Sequence, residues 1–242
     1  MTVGPSAYWY LTRATGGVAI ILLTASVALG VLDVARVTTK RMPRFIVDGA
    51  HRTTSLLAVA FLAVHILTAV LDTFVSITLV DAVVPFVGNY RPFWLGLGAV
   101  AFDLLIALIF TSLVRRFLGH RTWRATHWLA YACWPIALLH GLGTGSDTKS
   151  IWMLAISLGC LAVVLVAVCW RAIVGWPTRP GLRLGALGGA IGFAFGMALW
   201  LPQGPLGPDW AERSGTPSPA PTTSTGSVVA PHRPSDSVVE RA

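Results

Sequence analysis

The feature that most constrains this chain is a series of long apolar segments separated by short stretches of Arg, Gly and Pro. An α-helix needs about 20 apolar residues to cross a hydrocarbon layer of about 30 Å. Charged residues make up 12% of the chain, against about 25% in soluble domains. We therefore predict an all-α, polytopic membrane bundle within residues 1–201. About six transmembrane helices are expected, at roughly 9–32, 47–71, 94–114, 124–143, 152–174 and 184–201.

Basic residues are distributed unevenly over the segments that connect these spans. The second and fourth connections contain only Arg91 and Lys149. Basic loops remain on the cytoplasmic side, so we expect a multi-pass protein of the cell membrane with both termini outside. The net charge of +8 follows from this asymmetry and gives no reason to expect nucleic acid as a partner. The first, third and fifth connections contain eleven basic residues: Arg36, Lys40, Arg41, Arg44, Arg115, Arg116, Arg121, Arg124, Arg171, Arg179 and Arg183.

The composition changes at Pro202. Residues 202–242 are rich in Pro, Ser, Thr and Gly. Such a segment cannot bury enough apolar area to fold. We predict that residues 202–242 form a disordered extracytoplasmic tail.

Four histidines lie in two of the predicted spans. His51 and His65 are 14 residues apart in the second span, so they lie about 21 Å apart along a helix and about 40° apart around it. His127 and His140 are 13 residues apart in the fourth span, which gives about 20 Å and about 140°. One span separates these helices, so they run parallel. His51 should therefore lie level with His127 on the inner side, and His65 level with His140 on the outer side.

Two imidazoles from two helices, repeated at two depths, are the arrangement that two bis-histidine haems require. Imidazole is a good ligand for iron. We predict two b haems between the second and fourth helices, with His51 and His127 on the inner iron and His65 and His140 on the outer iron. The 140° offset fits less well, and Pro135 could kink or rewind that stretch.

The four histidines are also compatible with roles that involve no haem. A single histidine in a membrane often makes only an interhelical hydrogen bond. Zinc or copper is the competing metal, but zinc usually takes four N, S or O ligands, and the sequence offers no carboxylate or thiolate at either level. Haem therefore fits the pattern better.

Arginines near the two levels are candidates for binding haem propionates. Charged hydrogen bonds to carboxylates are the strong ones. On the inner side the candidates are Arg44, Arg52 and Arg124, and on the outer side Arg13 and Arg91. Ordinary snorkelling to the membrane surface is the alternative for each of them.

Asp103 is the one carboxylate deep within a predicted span. Carboxylates in membranes indicate a functional site by default. Asp103 could pair with Arg13, bond a hydroxyl or hold a proton. Two alternative functions follow: a non-haem membrane scaffold, or a proton-coupled transporter that uses the histidines and Asp103.

The last predicted span contains Gly188, Gly192 and Gly196 at four-residue spacing. Small residues at this spacing let another helix approach closely. We expect that contact to lie within the bundle, with dimerisation as the alternative.

The four histidines resemble the pattern of the ferric reductase-like transmembrane domain family. That family has a pair spaced H-x13-H on one helix and a second pair at about H-x12-H or H-x13-H two helices later. Here these are His51/His65 and His127/His140, and the resemblance covers residues 9–175. The family includes the haem domains of ferric reductases and NADPH oxidases and the bacterial haem subunit of periplasmic methionine sulfoxide reduction. The resemblance implies electron transfer across the membrane through haem b.

The larger members of that family continue into a cytoplasmic flavin and NAD(P)H domain. This sequence has no Gly-rich dinucleotide fingerprint following a strand. We therefore expect an electron-transfer subunit of an oxidoreductase. Its donor would be a separate cytoplasmic flavoprotein or membrane quinol, and its acceptor an extracytoplasmic redox partner.

Overall fold

The computed structural model describes residues 6–34, 44–73, 75–174 and 179–217, and every regular element in them is a helix. Five helices, α1, α2, α4, α7 and α8, are long and apolar enough to cross a membrane. The prediction of an all-α, polytopic membrane bundle is confirmed. The helices are α1 (Ala7–Val34), α2 (Arg44–Leu71), α3 (Leu79–Val83), α4 (Pro92–Leu113), α5 (Arg115–His127), α6 (Ala130–Thr144), α7 (Ile151–Val174), α8 (Pro180–Gln203) and α9 (Trp210–Arg213).

Two of the long helices begin at a proline. Pro92 is at the start of α4 and Pro180 at the start of α8. Proline suits the first helical position because its missing N–H has no partner there in any case. The preceding residues, Arg91 and Arg179, have the left-handed conformation, with φ of 40° and 52°. The chain therefore turns sharply into both spans.

The predicted span over 124–143 differs from the other five because it is divided between two helices. It covers the end of α5 and most of α6, which has only 15 residues. The junction is a tightened turn and not a break in direction. Four i→i+3 backbone hydrogen bonds, between Ala125 and Ala132, replace the α-helical pattern there.

This tightened turn accounts for much of the poor azimuthal match between His127 and His140. A 3₁₀ segment advances about 120° per residue instead of about 100°. Four such residues add about 80° to the rotation, which reduces the 140° offset of an ideal helix to about 60°. Local overwinding therefore brings the two side chains towards one face of the α5–α6 segment.

The long helices pack as neighbouring pairs. α1 packs most extensively on α2, α4 packs on α6, and α7 lies against both α1 and α8. Trp134 on α6 is buried in the main core, and its indole N–H donates to Thr24 Oγ1 on α1 at 2.8 Å. This bond joins α1, which packs on α2, to α6, which packs on α4. The other buried core residues are Val27, Leu138, Leu142, Cys160, Leu161, Met197 and Leu201.

The chain is folded beyond Pro202, so the prediction of disorder from that residue is wrong for residues 202–217. Helix α8 extends to Gln203, and α9 follows. Trp210 packs on Trp94 and Trp200, with ring centres 5.2 and 5.9 Å away, and its N–H donates to Gly143 O. These aromatic contacts supply the apolar burial that the composition of the segment did not reveal. Residues 218–242 lie outside the described residues.

The glycines of α8 do not serve the packing that we expected. A Cβ at Gly188, Gly192 or Gly196 would meet no other atom within 4 Å. In the described part of the chain, α8 packs chiefly on α7. The glycine face of α8 is therefore not a helix contact among the described residues of this bundle, and the expectation was wrong for them.

Candidate functional site

The structure brings the four histidines together as two cross-helix pairs. The ring centres of His51 and His127 are 6.4 Å apart, and those of His65 and His140 are 6.5 Å apart. The rings of each pair are nearly perpendicular, at 72° and 85°. Both pairs join α2 to the α5–α6 segment, one pair at each depth.

The separation matches what two axial ligands of one metal would need. Metal–imidazole bonds are about 2.0–2.1 Å long, and each nitrogen lies about 1.1 Å from its ring centre, so the two centres would be about 6 Å apart. Edge-to-face aromatic pairs also have centres about 4.5–7 Å apart. The distance alone therefore does not distinguish a pair of metal ligands from an aromatic contact. The hydrogen bonds of the rings bear on that choice.

Three of the four rings have a fixed tautomer. Nδ1 of His51 lies 2.9 Å from Ser26 O, Nδ1 of His65 lies 2.7 Å from Thr12 O, and Nδ1 of His140 lies 2.9 Å from Trp94 O. A carbonyl oxygen only accepts, so each Nδ1 carries the proton. The lone pair is then on Nε2. This is the usual state of a metal-binding histidine, whose other N–H is held by a carbonyl.

The backbones of the paired helices stay apart at the rings. α2 packs closely on α1, and in the described part of the chain it has no comparable backbone contact with α5 or α6. The imidazoles of each pair therefore approach each other between helix backbones that are not in close contact, with ring centres 6.4 and 6.5 Å apart. A planar macrocycle with an axial ligand on each side would require helices separated in this way.

Glycines on the flanking helices make room for three of the rings. A Cβ on Gly16 of α1 would lie 2.9 Å from His65, and one on Gly98 of α4 would lie 2.5 Å from His140. Gly30 of α1 faces His51 at 3.5 Å, an ordinary contact. Any larger residue at Gly16 or Gly98 would have to displace a ring. The outer pair is thus enclosed by glycine on both sides.

His127 differs from the other three histidines. Its Nδ1 is buried and has no hydrogen-bond partner in the described part of the chain. Its ring stacks on Trp123, with centres 5.1 Å apart. His120 lies on the same helix but is exposed, and it belongs to neither pair.

The outer arginine candidates are already engaged by the protein. Arg13 forms an ion pair with Asp147, a hydrogen bond to Ser146, and a stack over Trp9. Arg91 is buried and donates to the carbonyls of Gly143 and Thr144 and to the hydroxyl of Thr216.

The inner candidates are placed differently. Arg52 and Arg124 lie close to His51 and His127 along the chain, and both are exposed. The side chain of Arg44 lies outside the described residues.

Asp103 is half-buried on α4. The arginine that we considered as its partner, Arg13, pairs with Asp147 instead. In the described residues, no group of three or more His, Cys, Asp or Glu side chains could hold a metal ion. Each level thus offers two histidines, which is the number of protein ligands in a bis-histidine haem.

The fold and this site define a class: a multi-pass helical membrane protein with two histidine pairs stacked across the bundle. The family model described as "Ferric reductase like transmembrane component" matches residues 15–138, just over half of the chain. The chain therefore belongs to the ferric reductase-like transmembrane family, a class of membrane electron-transfer domains that generally bind haem b. The matched range contains His51, His65 and His127 and ends two residues before His140. No curated protein and no solved structure matches the chain.

Sequence reasoning missed the residues that hold the rings. The acceptors are backbone carbonyls, which no residue type reveals. One signal was present in α1, where Thr12 and Gly16 recur as Ser26 and Gly30 after 14 residues. That period equals the spacing of His51 and His65.

Proposed function

We propose that this chain transfers electrons across the membrane through two b haems, the inner on His51 and His127 and the outer on His65 and His140. The observation that carries the proposal is the hydrogen bonding of His51, His65 and His140. Each donates its Nδ1–H to a main-chain carbonyl, which leaves the lone pair of the ring on Nε2. A haem iron between two imidazoles takes up and releases one electron, and its surroundings set the potential.

The protein supplies the imidazole ligands, orients their rings and surrounds the route of the electron with apolar helices. Overwinding between α5 and α6 turns His127 and His140 towards α2, and α1 and α4 orient the rings from behind. We propose that Arg52 and Arg124 bind the propionates at the inner level. At the outer level, Arg13 would do so only by sharing its contacts with Asp147 and Ser146.

The donor would be a cytoplasmic flavoprotein or membrane quinol, and the acceptor a redox partner outside the cell membrane. The orientation that supports this has both termini outside, because the basic connections lie at the opposite end of the bundle. Fusions after residue 217 test the orientation. Alkaline phosphatase should be active there and green fluorescent protein dark, and the reverse would contradict it.

The direct test is a haem count on the full chain purified in mild detergent. A reduced-minus-oxidised spectrum with low-spin b-type bands and two haems per chain is expected. His65→Ala and His127→Ala should each leave one haem, whereas His120→Ala, a change at an exposed histidine, should leave two. A colourless and stable wild-type protein would overturn the proposal.

One observation favours a second candidate, a haem-free membrane scaffold. His65 and His140 already make hydrogen bonds between helices, to α1 and α4, and such bonds stabilise helix packing in membranes. For a scaffold, His65→Ala would lower stability in a protein that binds no haem. The haem count therefore separates the two functions. Proton-coupled uptake that is lost in Asp103→Asn would instead indicate the transporter.

A further inference from the structure

Helix α1 holds the two histidines of α2 in the same way at both levels. At the outer level His65 donates to Thr12 O, and Gly16 lies against the ring. At the inner level His51 donates to Ser26 O, and Gly30 lies against the ring. The repeat of 14 residues is almost four helical turns, so one face of α1 meets both rings.

A pair of hydroxyls accompanies each ring. Thr12 Oγ1 donates at 2.9 Å to Oγ1 of Thr68, which follows His65 by three residues. Ser26 Oγ lies 2.7 Å from Oγ of Ser55, which follows His51 by four residues. A carbonyl acceptor, a glycine and a hydroxyl pair thus recur at both levels, and we call each set an α1 clamp.

The two clamps differ in how tightly they hold the ring. At the outer level, a Cβ on Gly16 would be 2.9 Å from both Cε1 and Nδ1 of His65, closer than real Cβ contacts come. The inner counterpart, Gly30, would reach His51 at 3.5 Å, which is normal van der Waals contact. The α1–His65 fit is therefore specific for glycine, whereas the α1–His51 fit has space for a methyl group.

We propose that Gly16 is a positioning residue of the outer site, and that the outer clamp is rigid and the inner clamp adaptable. The inference rests on the proposed function in taking the imidazoles as haem ligands. The Nδ1–H hydrogen bond orients the ring and makes it a more basic ligand. A more basic axial ligand stabilises ferric iron and lowers the potential of the haem. Displacing His65 from Thr12 O should raise the potential of the outer haem alone.

The test compares two neighbouring glycines of α1 in the full-length haem protein. Gly16→Ala drives a methyl group into His65, whereas at Gly17 a Cβ would meet only Met153 Cε, at 4.0 Å. Redox titration of Gly16→Ala should show one midpoint raised, or one haem lost of two, with a changed low-spin EPR signal for that haem. Gly17→Ala should keep both midpoints, and Gly30→Ala should shift the midpoint of the inner haem less than Gly16→Ala shifts that of the outer haem. Two unchanged midpoints in Gly16→Ala would overturn the inference.

A second measurement does not depend on haem and remains decisive if Gly16→Ala fails to fold. Wild type, Gly16→Ala, His65→Ala and the double variant form a thermal-unfolding cycle. If Gly16 is needed because of the ring, the double variant is as stable as His65→Ala, even where Gly16→Ala alone cannot be purified. If the losses of thermal stability in Gly16→Ala and His65→Ala add up in the double variant, the clamp is overturned. A haem-free wild type with a non-additive cycle would overturn the proposed function and leave the clamp standing.

Discussion

Replacing Arg91 with Met should loosen the contact of the C-terminal segment with the end of the bundle that holds His65 and His140. Arg91 is only 4% exposed. Its guanidinium donates to Thr216 Oγ1 at 2.9 Å, Gly143 O at 3.0 Å and Thr144 O at 3.1 Å. Met has an apolar side chain of similar reach and no donor. It also retains a Cβ, so the strain of the left-handed backbone at φ 40° is the same in both proteins and cancels.

Of these three hydrogen bonds, only the one to Thr216 reaches the C-terminal segment, because Gly143 and Thr144 belong to α6. At a net contribution of about 1 kcal/mol, its loss destabilises the docked segment by about 1 kcal/mol. A difference of about 1.4 kcal/mol is a factor of ten in an equilibrium constant. Local opening of residues 203–217 should therefore become about fivefold more frequent.

Amide hydrogen exchange, followed by mass spectrometry in detergent, measures this opening. Exchange in residues 203–217 should accelerate about fivefold, while the central turns of α4 and α7 change little. Arg213→Met is the matched control, because Arg213 donates to Gln203 O and Pro208 O in the same segment but is exposed. A change of less than about 0.5 kcal/mol is typical of such surface sites. If Arg91→Met accelerates exchange no more than Arg213→Met, the buried guanidinium does not anchor the segment.

Three further changes test separate parts of the fold. Trp134→Phe removes the bond to Thr24 and should cost about 1 kcal/mol, seen as a Tm lower by about 2–4 °C; an unchanged Tm would contradict the role of this bond. Arg13→Gln removes an ion pair with Asp147 that is partly solvent-exposed. It should cost less than about 1 kcal/mol and make Tm less dependent on salt; a larger loss would indicate a further partner. Thr78→Ala removes the capping box of α3 and should cost about 1 kcal/mol of local stability, visible as faster exchange in α3 only.

Much of the membrane architecture could be predicted because it depends on composition and length. Five predicted spans coincide with single helices, since about 20 apolar residues with few charges have no other stable arrangement in lipid. The fourth span was harder. Its hydropathy does not show that the turn between α5 and α6 is tightened, because the i→i+3 hydrogen bonds there are made by backbone groups that every residue carries.

The two wrong predictions, for residues 202–217 and for the glycines of α8, share a physical cause. Residues 202–217 are polar enough to look disordered, yet Trp210 finds Trp94 and Trp200 already placed by two spans. The glycines of α8 have the spacing of a helix contact, but no helix in the described part of this bundle lies against them. In both cases the local structure depends on which side chains lie opposite the segment in the folded protein. The sequence pattern of the segment itself does not contain that information.

A helical membrane bundle, with histidines in two pairs at two depths, could be predicted from the amino-acid sequence alone. These properties follow from hydropathy and from spacing along a regular helix. The atoms that hold the rings, in contrast, depend on tertiary packing. The carbonyls that accept from His51, His65 and His140 lie 25, 53 and 46 residues away in the chain. Every residue carries such a carbonyl, so only the packing of α1 on α2 and of α4 on α6 selects these three.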